Sequence, residues 1–573
     1  MSFSKNTLNC ILGPSGSGAR LAKMAQTNPR LPPGKTILLD TIAYGASASW
    51  KRKFEGSVSI HGTRTAAAAN RVGKISYLAH KERLLSIFTV RETLLCACQL
   101  MNGIKGEQGA RQVNDIIEQL GLSVCADTMV SRLSGGQRRR CAVAVELIND
   151  RRDIIILDEP TSGLDAHIAL ELVKCFADLV AKGRTFVFTM HQPTSEIAAL
   201  LPNIVILTSK GSLAFKGNKQ DGLDFFASQG FAAPKSWNPL DFFVEVVGDD
   251  FENRIGPSDV EVLATAFSAS AYNAARHDDA AVPLLMVADD ANELEALHFN
   301  VSVGVQLYLL LKRCALVTWR NPGVLKVRTF TYILVSLFLG LVFLEIGQSY
   351  DDASILARNS VLFFVSSFYS FMSVVSLPQL ISDRHVYMSE KRNGLFAPLP
   401  FVLAQSITTA LVTFVVSLPA AVFVVNMARL QNMGVYLALL WLALFVADMF
   451  SAFVGTFAPN FLIGLLICCA YWSLGMMTEG YFITLDAIPP YFLWASWITP
   501  MSYSFESFML NEYAPNATFV SYQFPYGWAV LDFFGFGTNG MFKWFDLYAD
   551  VAILAAFAAG FIFLFYVSVR FAW

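Results

Sequence analysis

Six stretches of about 20 apolar residues lie in the second half of the chain, and they constrain its fold more than any other feature. A helix of roughly 20 apolar residues crosses a hydrocarbon layer about 30 Å thick. The six predicted membrane helices are Thr329–Ile346, Val361–Leu380, Phe401–Val425, Gly434–Thr456, Phe461–Phe482 and Val551–Val567. The pattern predicts an all-α membrane domain that crosses the bilayer six times.

Charged residues are concentrated ahead of these stretches. From residue 321 to the end there are about 9 basic and 13 acidic residues, whereas the whole 573-residue chain has 43 and 45. We therefore predict a charged domain over 1–250, a linker over 251–300 and the membrane domain over 301–573. The net charge of −2 disfavours nucleic acid as a partner. The nine scattered cysteines form neither a disulfide framework nor a zinc-binding pattern.

The loops between the apolar stretches predict the orientation of the chain in the membrane. Arg384, Lys391 and Arg392 lie between the second and third predicted helices, whereas the loops after the first and fifth are mostly acidic. Because basic loops stay in the cytosol, both termini are predicted to be cytosolic. We find no signal peptide near Met1. Asn516, in an Asn-Ala-Thr sequon of the last external loop, is a candidate glycosylation site.

Two polar features of the membrane half leave alternatives open. Asp448 lies inside the fourth predicted helix, where a carboxylate is costly unless it faces the bundle interior. It either contacts a substrate or bonds to a neighbouring helix. The segment Val305–Trp319 has apolar residues at helical spacing, so it is either a helix on the cytosolic membrane face or an ordinary amphipathic connector.

In the first half of the chain, short β-rich runs alternate with helical stretches. The predicted strands include Leu8–Leu12, Val58–His61, Ile154–Leu157, Thr185–Thr189 and Ile204–Leu207. Such alternation is typical of an α/β domain with a parallel sheet.

Four motifs follow one another within this α/β domain. They read Leu-Ser-Gly-Gly-Gln-Arg at 133–138, Ile-Ile-Ile-Leu-Asp-Glu-Pro at 154–160, Ser-Gly-Leu-Asp at 162–165 and Thr-Met-His-Gln-Pro at 189–193. In this order they resemble the signature, Walker B, D-loop and switch-histidine motifs of the ATP-binding cassette (ABC) family. The resemblance implies a P-loop nucleotide-binding domain with a helical subdomain, and ATP and Mg²⁺ as cofactors.

The residue types in these motifs suit nucleotide hydrolysis. Asp158 ends a buried strand and is expected to bind Mg²⁺ together with Thr36, and Glu159 can polarise the attacking water. By resemblance, His191 holds the γ-phosphate and that water. The glycines of the signature motif let backbone N–H groups approach a nucleotide bound to a second subunit. The ATP-contacting residues implied in the signature motif and D-loop are Ser134, Gly135, Gly136, Gln137 and Asp165.

The predicted phosphate-binding loop is interrupted. Its small residues are Gly13, Ser15, Gly16 and Gly18. Ala19 and Arg20 then stand where Lys and Ser or Thr belong. Removing Ala19–Gly34 would join Gly18 to Lys35 and Thr36 and complete a Walker A motif. We therefore expect Ala19–Gly34 to be an insertion, either a true loop or an unremoved intron. The alternative is a decayed loop with an unrelated Gly-Lys-Thr downstream.

Three further features depart from the family pattern or add charge near it. His80 occupies the position of the family's Q-loop glutamine, which puts normal Mg²⁺ sensing in doubt. Met1 lies shortly before Gly13, so the start is expected to be truncated. The basic run after the signature is predicted to be a solvated helix face, and it comprises Arg138, Arg139 and Arg140.

The domain order, nucleotide domain first and six membrane helices second, resembles the G subfamily of white-type half-transporters. So does the sequence Asn-Pro-Leu-Asp-Phe-Phe at 238–243. The resemblance implies a homo- or heterodimer of half-transporters that exports a hydrophobic small molecule or lipid, and we expect it at the plasma membrane. The substrate-cavity residues it implies are Phe368, Phe371, Tyr481 and Phe482, although aromatic residues at helical spacing also serve packing.

Two other functions are compatible with these motifs. If the insertion and His80 belong to the protein, the chain could be a non-hydrolysing partner that contributes only its signature motif to another subunit's ATP. An ATP-gated channel would share the same motifs but pass ions down their gradient.

Overall fold

The computed structural model describes most of the chain, and every structural statement below concerns these residues alone. They are 3–14, 34–44, 59–60, 63–64, 75–104, 106–149, 152–208, 211–234, 237–248, 259–270, 301–321, 323–513, 523–536 and 547–571. The chain divides into two compact units. One comprises Met1–Ser302 with Ser389–Phe396, and the other comprises Val303–Met388 with Ala397–Trp573.

A six-stranded sheet forms the centre of the first unit. The strands of the described residues are β1 (Leu8–Leu12), β2 (Ser59–Ile60), β3 (Thr63–Arg64), β4 (Ile75–Leu78), β5 (Ile154–Leu157), β6 (Thr185–Thr189), β7 (Asn203–Leu207) and β8 (Leu213–Gly217). The sheet order is β4-β5-β6-β1-β7-β8, with only the β7–β8 pair antiparallel. Strands β2 and β3 pair separately. The central strands are buried along their whole length, which explains their continuous apolar runs.

Helices surround this sheet. They are α1 (Gly34–Tyr44), α2 (Val90–Asn102), α3 (Gly106–Gln119), α4 (Gly135–Leu147), α5 (Ala166–Ala181), α6 (Ser195–Leu200), α7 (Lys219–Ser228), α8 (Pro239–Val246) and α9 (Asp259–Ala269). Phe176 of α5 stacks on Phe186 of β6 with ring centroids 4.7 Å apart. The α/β fold predicted for this half is confirmed.

Helix α9 falls within the predicted linker over 251–300. Its Leu263 and Phe267 are buried, and the Phe267 ring packs edge-on against Phe215 of β8. This part of the predicted linker is therefore packed structure, because two apolar residues one helical turn apart cover the sheet. The rest of the predicted linker, from 271 to 300, lies outside the described residues.

The second unit is helical. Its helices are α10 (Val303–Arg320), α11 (Arg328–Val342), α12 (Asp352–Phe371), α13 (Leu377–Arg392, whose last turn belongs to the first unit), α14 (Pro398–Ala428), α15 (Met433–Phe457), α16 (Phe461–Thr478), α17 (Leu493–Ile498), α18 (Pro500–Glu512), α19 (Gly527–Phe533) and α20 (Leu547–Phe571). Six segments among the described residues are long and apolar enough to cross a membrane, as predicted. Helix α10 confirms that Val305–Trp319 is helical.

The first and fifth predicted membrane helices end earlier than expected. The first ends at Val342 instead of Ile346, and the Glu345 amide donates to the carbonyl of Met427. The fifth ends at Thr478, and Gly480 follows with a φ of 103° that a helix cannot accommodate. Tyr481 therefore follows the helix, where an apolar run alone had extended the prediction to Phe482.

Asp448 of α15 forms a buried ion pair with Arg328 of α11. The two guanidinium nitrogens donate to the two carboxylate oxygens at 2.7 and 3.1 Å. Both side chains are at most 3% exposed. Of the two interpretations left open by the sequence, the bond to a neighbouring helix agrees with the structure.

A short segment, Ser389–Phe396, belongs to the first unit although it comes between the second and third membrane helices in sequence. Asn393 is its anchor: its amide donates to the carbonyl of Tyr77 at 3.1 Å and to the Glu146 carboxylate at 2.7 Å. Arg152 donates to the Asn393 carbonyl. This packing was not predicted from the sequence, because Asn393 lies in a polar stretch with no motif of its own.

Candidate nucleotide-binding site

Helix α1 begins beside the end of β1. Lys35, in the first turn of α1, is 2% exposed, and its ammonium donates to the carbonyl of Gly13 at 2.7 Å. Burial lowers the pKa of Lys35, and the nearby Glu159, Cys10 and Asp158 oppose this effect. A lysine thus stands at the start of the helix that follows Gly13, as the interrupted Walker A motif requires.

Asp158 lies at the carboxyl end of β5 and is fully buried. Its two carboxylate oxygens accept hydrogen bonds from the hydroxyls of Thr36 and Thr189, each at 2.7 Å. The Thr189 hydroxyl also accepts from the Glu159 amide at 2.8 Å. Thr189 was not predicted as a site residue, although it begins the motif that contains His191. Hydroxyl and carboxylate oxygens so placed suit Mg²⁺, which prefers hard oxygen ligands.

Glu159 lies between two histidines. Oε1 is 2.7 Å from Nε2 of His191, and Oε2 is 3.2 Å from Nδ1 of His80. The hydrogen bond with His191 holds the pKa of Glu159 below its usual value, although burial opposes the shift. At pH 7 the residue is therefore a carboxylate, the form that a general base needs.

The backbone of Glu159 is unusual for its side chain. Its φ is 52°, in the left-handed region that costs a non-glycine residue about 1–3 kcal/mol. Such outliers persist where surrounding contacts hold them, and they cluster at functional sites. Here the conformation directs the carboxylate towards His80 and His191.

The predicted signature residues lie at the start of α4. Ser134 is the N-cap, and it exchanges hydrogen bonds with Gln137 in a capping box. Ser134 and Gly135 are exposed. A Cβ on Gly136 would come within 3.3 Å of the Gly163 carbonyl, so only glycine fits there without displacement. Gln137 thus serves the helix cap in this structure, whatever contact it makes with a nucleotide.

Asp165 of the predicted D-loop caps α5. Its carboxylate accepts from the Ile168 amide at 2.9 Å. Its conformation is accordingly fixed by the helix that it begins. Four other predicted site residues lie outside the described residues, namely Ser15, Gly16, Gly18 and the sequon Asn516.

Arg139 does not lie on a solvated helix face, and that prediction was wrong. The residue is 1% exposed and donates to backbone carbonyls of two loops around the site. Its neighbours Arg138 and Arg140 are half-buried. The sequence of three consecutive arginines does not show which of them faces the interior.

The predicted substrate-cavity residues lie in two places in the second unit. Phe368 and Phe371 are both partly buried on α12. Tyr481 and Phe482 follow α16, and both contact Phe363, with ring centroids 4.3 and 4.8 Å away. Phe363 was not predicted.

Comparison with known proteins agrees with this arrangement. Residues 32–162 match the family described as "ABC transporter", and residues 305–513 match "ABC-2 type transporter". ABC transporter G family member 1 of Petunia hybrida is 27% identical over 533 residues, covering 88% of this chain and 79% of the relative. ABC transporter G family member 11 of Arabidopsis thaliana is 28% identical over 529 residues, covering 87% and 71%. Protein white of Drosophila melanogaster is 26% identical over 539 residues, covering 89% and 75%.

An ATP-binding domain followed by six apolar helices defines an ATP-driven, multi-pass membrane transporter. The chain belongs to the ABC transporter family and has the organisation of a G-subfamily half-transporter, as the motifs predicted.

Proposed function

We propose that the chain is one half of a dimeric exporter that hydrolyses ATP to move a lipid-like or amphipathic substrate. The observation that carries the proposal is the arrangement of Thr36, Asp158 and Glu159 at the end of β5. It combines two hard oxygen ligands, 2.7 Å apart, with a carboxylate next to a histidine.

Each polar group has a defined role in this proposal. Lys35 binds the outer phosphates of ATP, and the glycines at 13, 16 and 18 with Ser15 form the cradle. Thr36 and Asp158 bind Mg²⁺, which neutralises phosphate charge when bound. Glu159 accepts the proton of the attacking water, and His191 orients that water and the γ-phosphate. His80 lies close enough to Glu159 to affect the same step.

The exposed start of α4 supports a dimer. Ser134 and Gly135 present a helix N-terminus to solvent, and such a terminus binds anions through its free N–H groups. In the proposed dimer this surface contacts the nucleotide of the second half-transporter, which is a copy of this chain or a related one. Asp165 is also exposed, and in the proposed dimer it lies at the same interface between the two half-transporters.

The aromatic residues on α12 and after α16 support a hydrophobic substrate. We place the substrate between Phe368 and Phe371 on one side and the pair Tyr481 and Phe482 on the other. The few charges in the membrane helices disfavour sugars and ions. On the basis of loop charge we further propose cytosolic termini, and on the basis of the sequon we propose glycosylation at Asn516. The plasma membrane is proposed as the location from the resemblance to G-subfamily half-transporters.

The proposal is tested by the ATPase activity of the purified full chain in lipid vesicles. Glu159→Gln is expected to lower turnover by about 100-fold or more, because a general base contributes that much. The matched control is Glu171→Gln on the exposed face of α5, which should leave turnover unchanged. If wild-type protein and both variants hydrolyse ATP equally, Glu159 is not the base and hydrolysis by this site is refuted.

The alternative is a non-hydrolysing partner subunit, and it depends on Ala19–Gly34. Mass spectrometry of the purified protein shows whether peptides from this segment are present. If they are, the full chain is compared with a variant lacking 19–34. Equal ATPase activity supports hydrolysis by the interrupted loop, whereas activity found only in the shortened variant supports the partner role.

A further inference from the structure

Arg139 is a buried arginine that none of the nucleotide-binding motifs explains. It lies in the first half of α4, shortly after the exposed signature residues, and only 1% of its surface is exposed. Arginine is rarely buried so completely unless its donors are satisfied by defined acceptors. Its contacts therefore point to a specific role.

The guanidinium group of Arg139 joins two loops. Nη1 donates to the carbonyls of Ala79 and His80 at 3.1 and 3.0 Å. Nη2 donates to the carbonyls of Asp158 and Glu159, the latter at 3.1 Å. One rigid, planar group thus holds the backbone after β4 and the backbone after β5, which a lysine ammonium cannot do with the same geometry.

The positive charge of Arg139 is only partly balanced by an acidic side chain. The Glu82 carboxylate lies 3.6 Å from Nη1 and is 26% exposed. The four carbonyl dipoles supply the remaining stabilisation. Because the acceptors are backbone atoms, Arg139 fixes the course of both loops independently of the side chains that they carry.

The contact to Glu159 is the most consequential. The peptide groups on either side of this residue are held, since its amide donates to Thr189 and its carbonyl accepts from Arg139. These two bonds maintain the left-handed backbone, with φ of 52°, that aims the carboxylate at His191.

We propose that Arg139 is a positioning residue through which the signature helix sets the geometry of Glu159 and His80. The inference rests on the proposed function, in which Ser134–Gly136 at the start of α4 contacts the nucleotide of the second half-transporter. Binding there fixes α4, and Arg139 carries that constraint to the hydrolytic residues of its own subunit. The two ATP sites of a dimer are thereby coupled through one side chain on each chain.

The first test compares Arg139→Lys with Arg111→Lys, an exposed arginine on α3, in purified homodimers. Misplacing a catalytic group by about 1 Å costs about 100-fold, so turnover should fall about 10- to 100-fold in Arg139→Lys. Cooperativity in ATP should fall to a Hill coefficient near 1, while binding of a fluorescent ATP analogue stays within about twofold of wild type. Unchanged turnover and cooperativity would overturn the proposal.

Mixed dimers separate positioning from general damage. One chain carries Glu159→Gln, so that only the other chain hydrolyses ATP. Arg139→Lys in the hydrolysing chain should abolish most of the remaining activity, whereas the same change in the Glu159→Gln chain should spare it. Equal losses in both arrangements would mean a structural role only.

Two controls keep the result interpretable. If Arg139→Lys does not fold, Arg139→Met removes the buried charge with similar volume and takes its place in the same mixed dimers. If wild-type dimers hydrolyse no ATP, the proposed function fails. If they hydrolyse ATP but the two mixed arrangements behave alike, the inference about Arg139 fails by itself.

Discussion

The ion pair between Arg328 and Asp448 predicts a large and asymmetric effect of mutation on the membrane unit. Both side chains are at most 3% exposed and joined by two hydrogen bonds. Removing one partner of a buried pair leaves the other charge unpaired, which costs about 3–5 kcal/mol. Replacing both by apolar residues of similar volume is often close to neutral. Asp448→Asn should therefore destabilise strongly, and the double change Arg328→Met with Asp448→Leu should restore stability.

The assay is thermal unfolding of the full chain in detergent. In a domain of this size each kcal/mol shifts the melting temperature by about 2–4 °C, so Asp448→Asn should lower it by about 6–20 °C. The matched control is Glu345→Gln, which breaks a pair with Arg429 at 2.8 Å that is about half exposed. An exposed pair contributes only about 0–1 kcal/mol, so this control should shift the melting temperature by less than about 4 °C.

Two results would refute this reasoning. A shift for Asp448→Asn no larger than that for Glu345→Gln would mean that the pair is not desolvated. A double variant no more stable than either single variant would mean that the loss comes from packing and not from an unpaired charge. Reduced transport with an unchanged melting temperature would instead favour the interpretation in which Asp448 contacts substrate.

Three further predictions concern other parts of the chain. Burial raises the pKa of Glu512 to about 7 despite the opposing Arg358. The contribution of Glu512 to stability is therefore full below about pH 4.5 and is lost as pH rises through 7. Glu512→Gln should make the melting temperature less dependent on pH between about 5 and 8, and an unchanged pH dependence would show that Glu512 is not the responsible group. Asn393→Ala should abolish stimulation of the ATPase by substrate while basal hydrolysis persists. Preserved stimulation would show that the hydrogen bond between Asn393 and Glu146 is not needed for it. Phe371→Ala should change the transport of at least one amphipathic substrate at unchanged basal ATPase, and transport equal to wild type would return the residue to packing.

The parts of the fold that sequence predicted are those determined by local composition. Strands Leu8–Leu12, Ile154–Leu157 and Thr185–Thr189 were predicted with the bounds that the structure has, because an uninterrupted apolar run between polar turns is compatible with few alternatives. The six membrane helices follow from length and hydropathy in the same way. Only their ends were misjudged, since a helix end depends on single residues such as Gly480.

Buried charges were not predictable in this way. Arg139, Arg152 and Arg328 are each at most 3% exposed, and each is stabilised by acceptors distant in sequence. Arg139 is the second of three consecutive arginines, and the sequence does not show which of the three is buried. The carbonyls that distinguish it come from the loops after β4 and β5, and they are brought to α4 only by the fold. Whether a charged side chain is buried therefore depends on its hydrogen-bond partners, and a single sequence does not show which residues these are.

Tertiary contacts in the interrupted phosphate loop bear on a question that its sequence left open. Sequence left open whether the Gly-Lys-Thr at Gly34 belongs to the loop that begins at Gly13 or stands there by chance. If the Gly-Lys-Thr were there by chance, Lys35 would not be expected to contact Gly13, nor Thr36 to contact Asp158. The Lys35 ammonium nevertheless donates to the Gly13 carbonyl, and the Thr36 hydroxyl to the Asp158 carboxylate, each at 2.7 Å. A buried lysine also requires nearby negative groups, because an isolated ammonium in the interior is strongly unfavourable. The carboxylates at the end of β5 meet that requirement, and phosphate would meet it further. The physical cost of burying Lys35 thus favours a working nucleotide site over a decayed one.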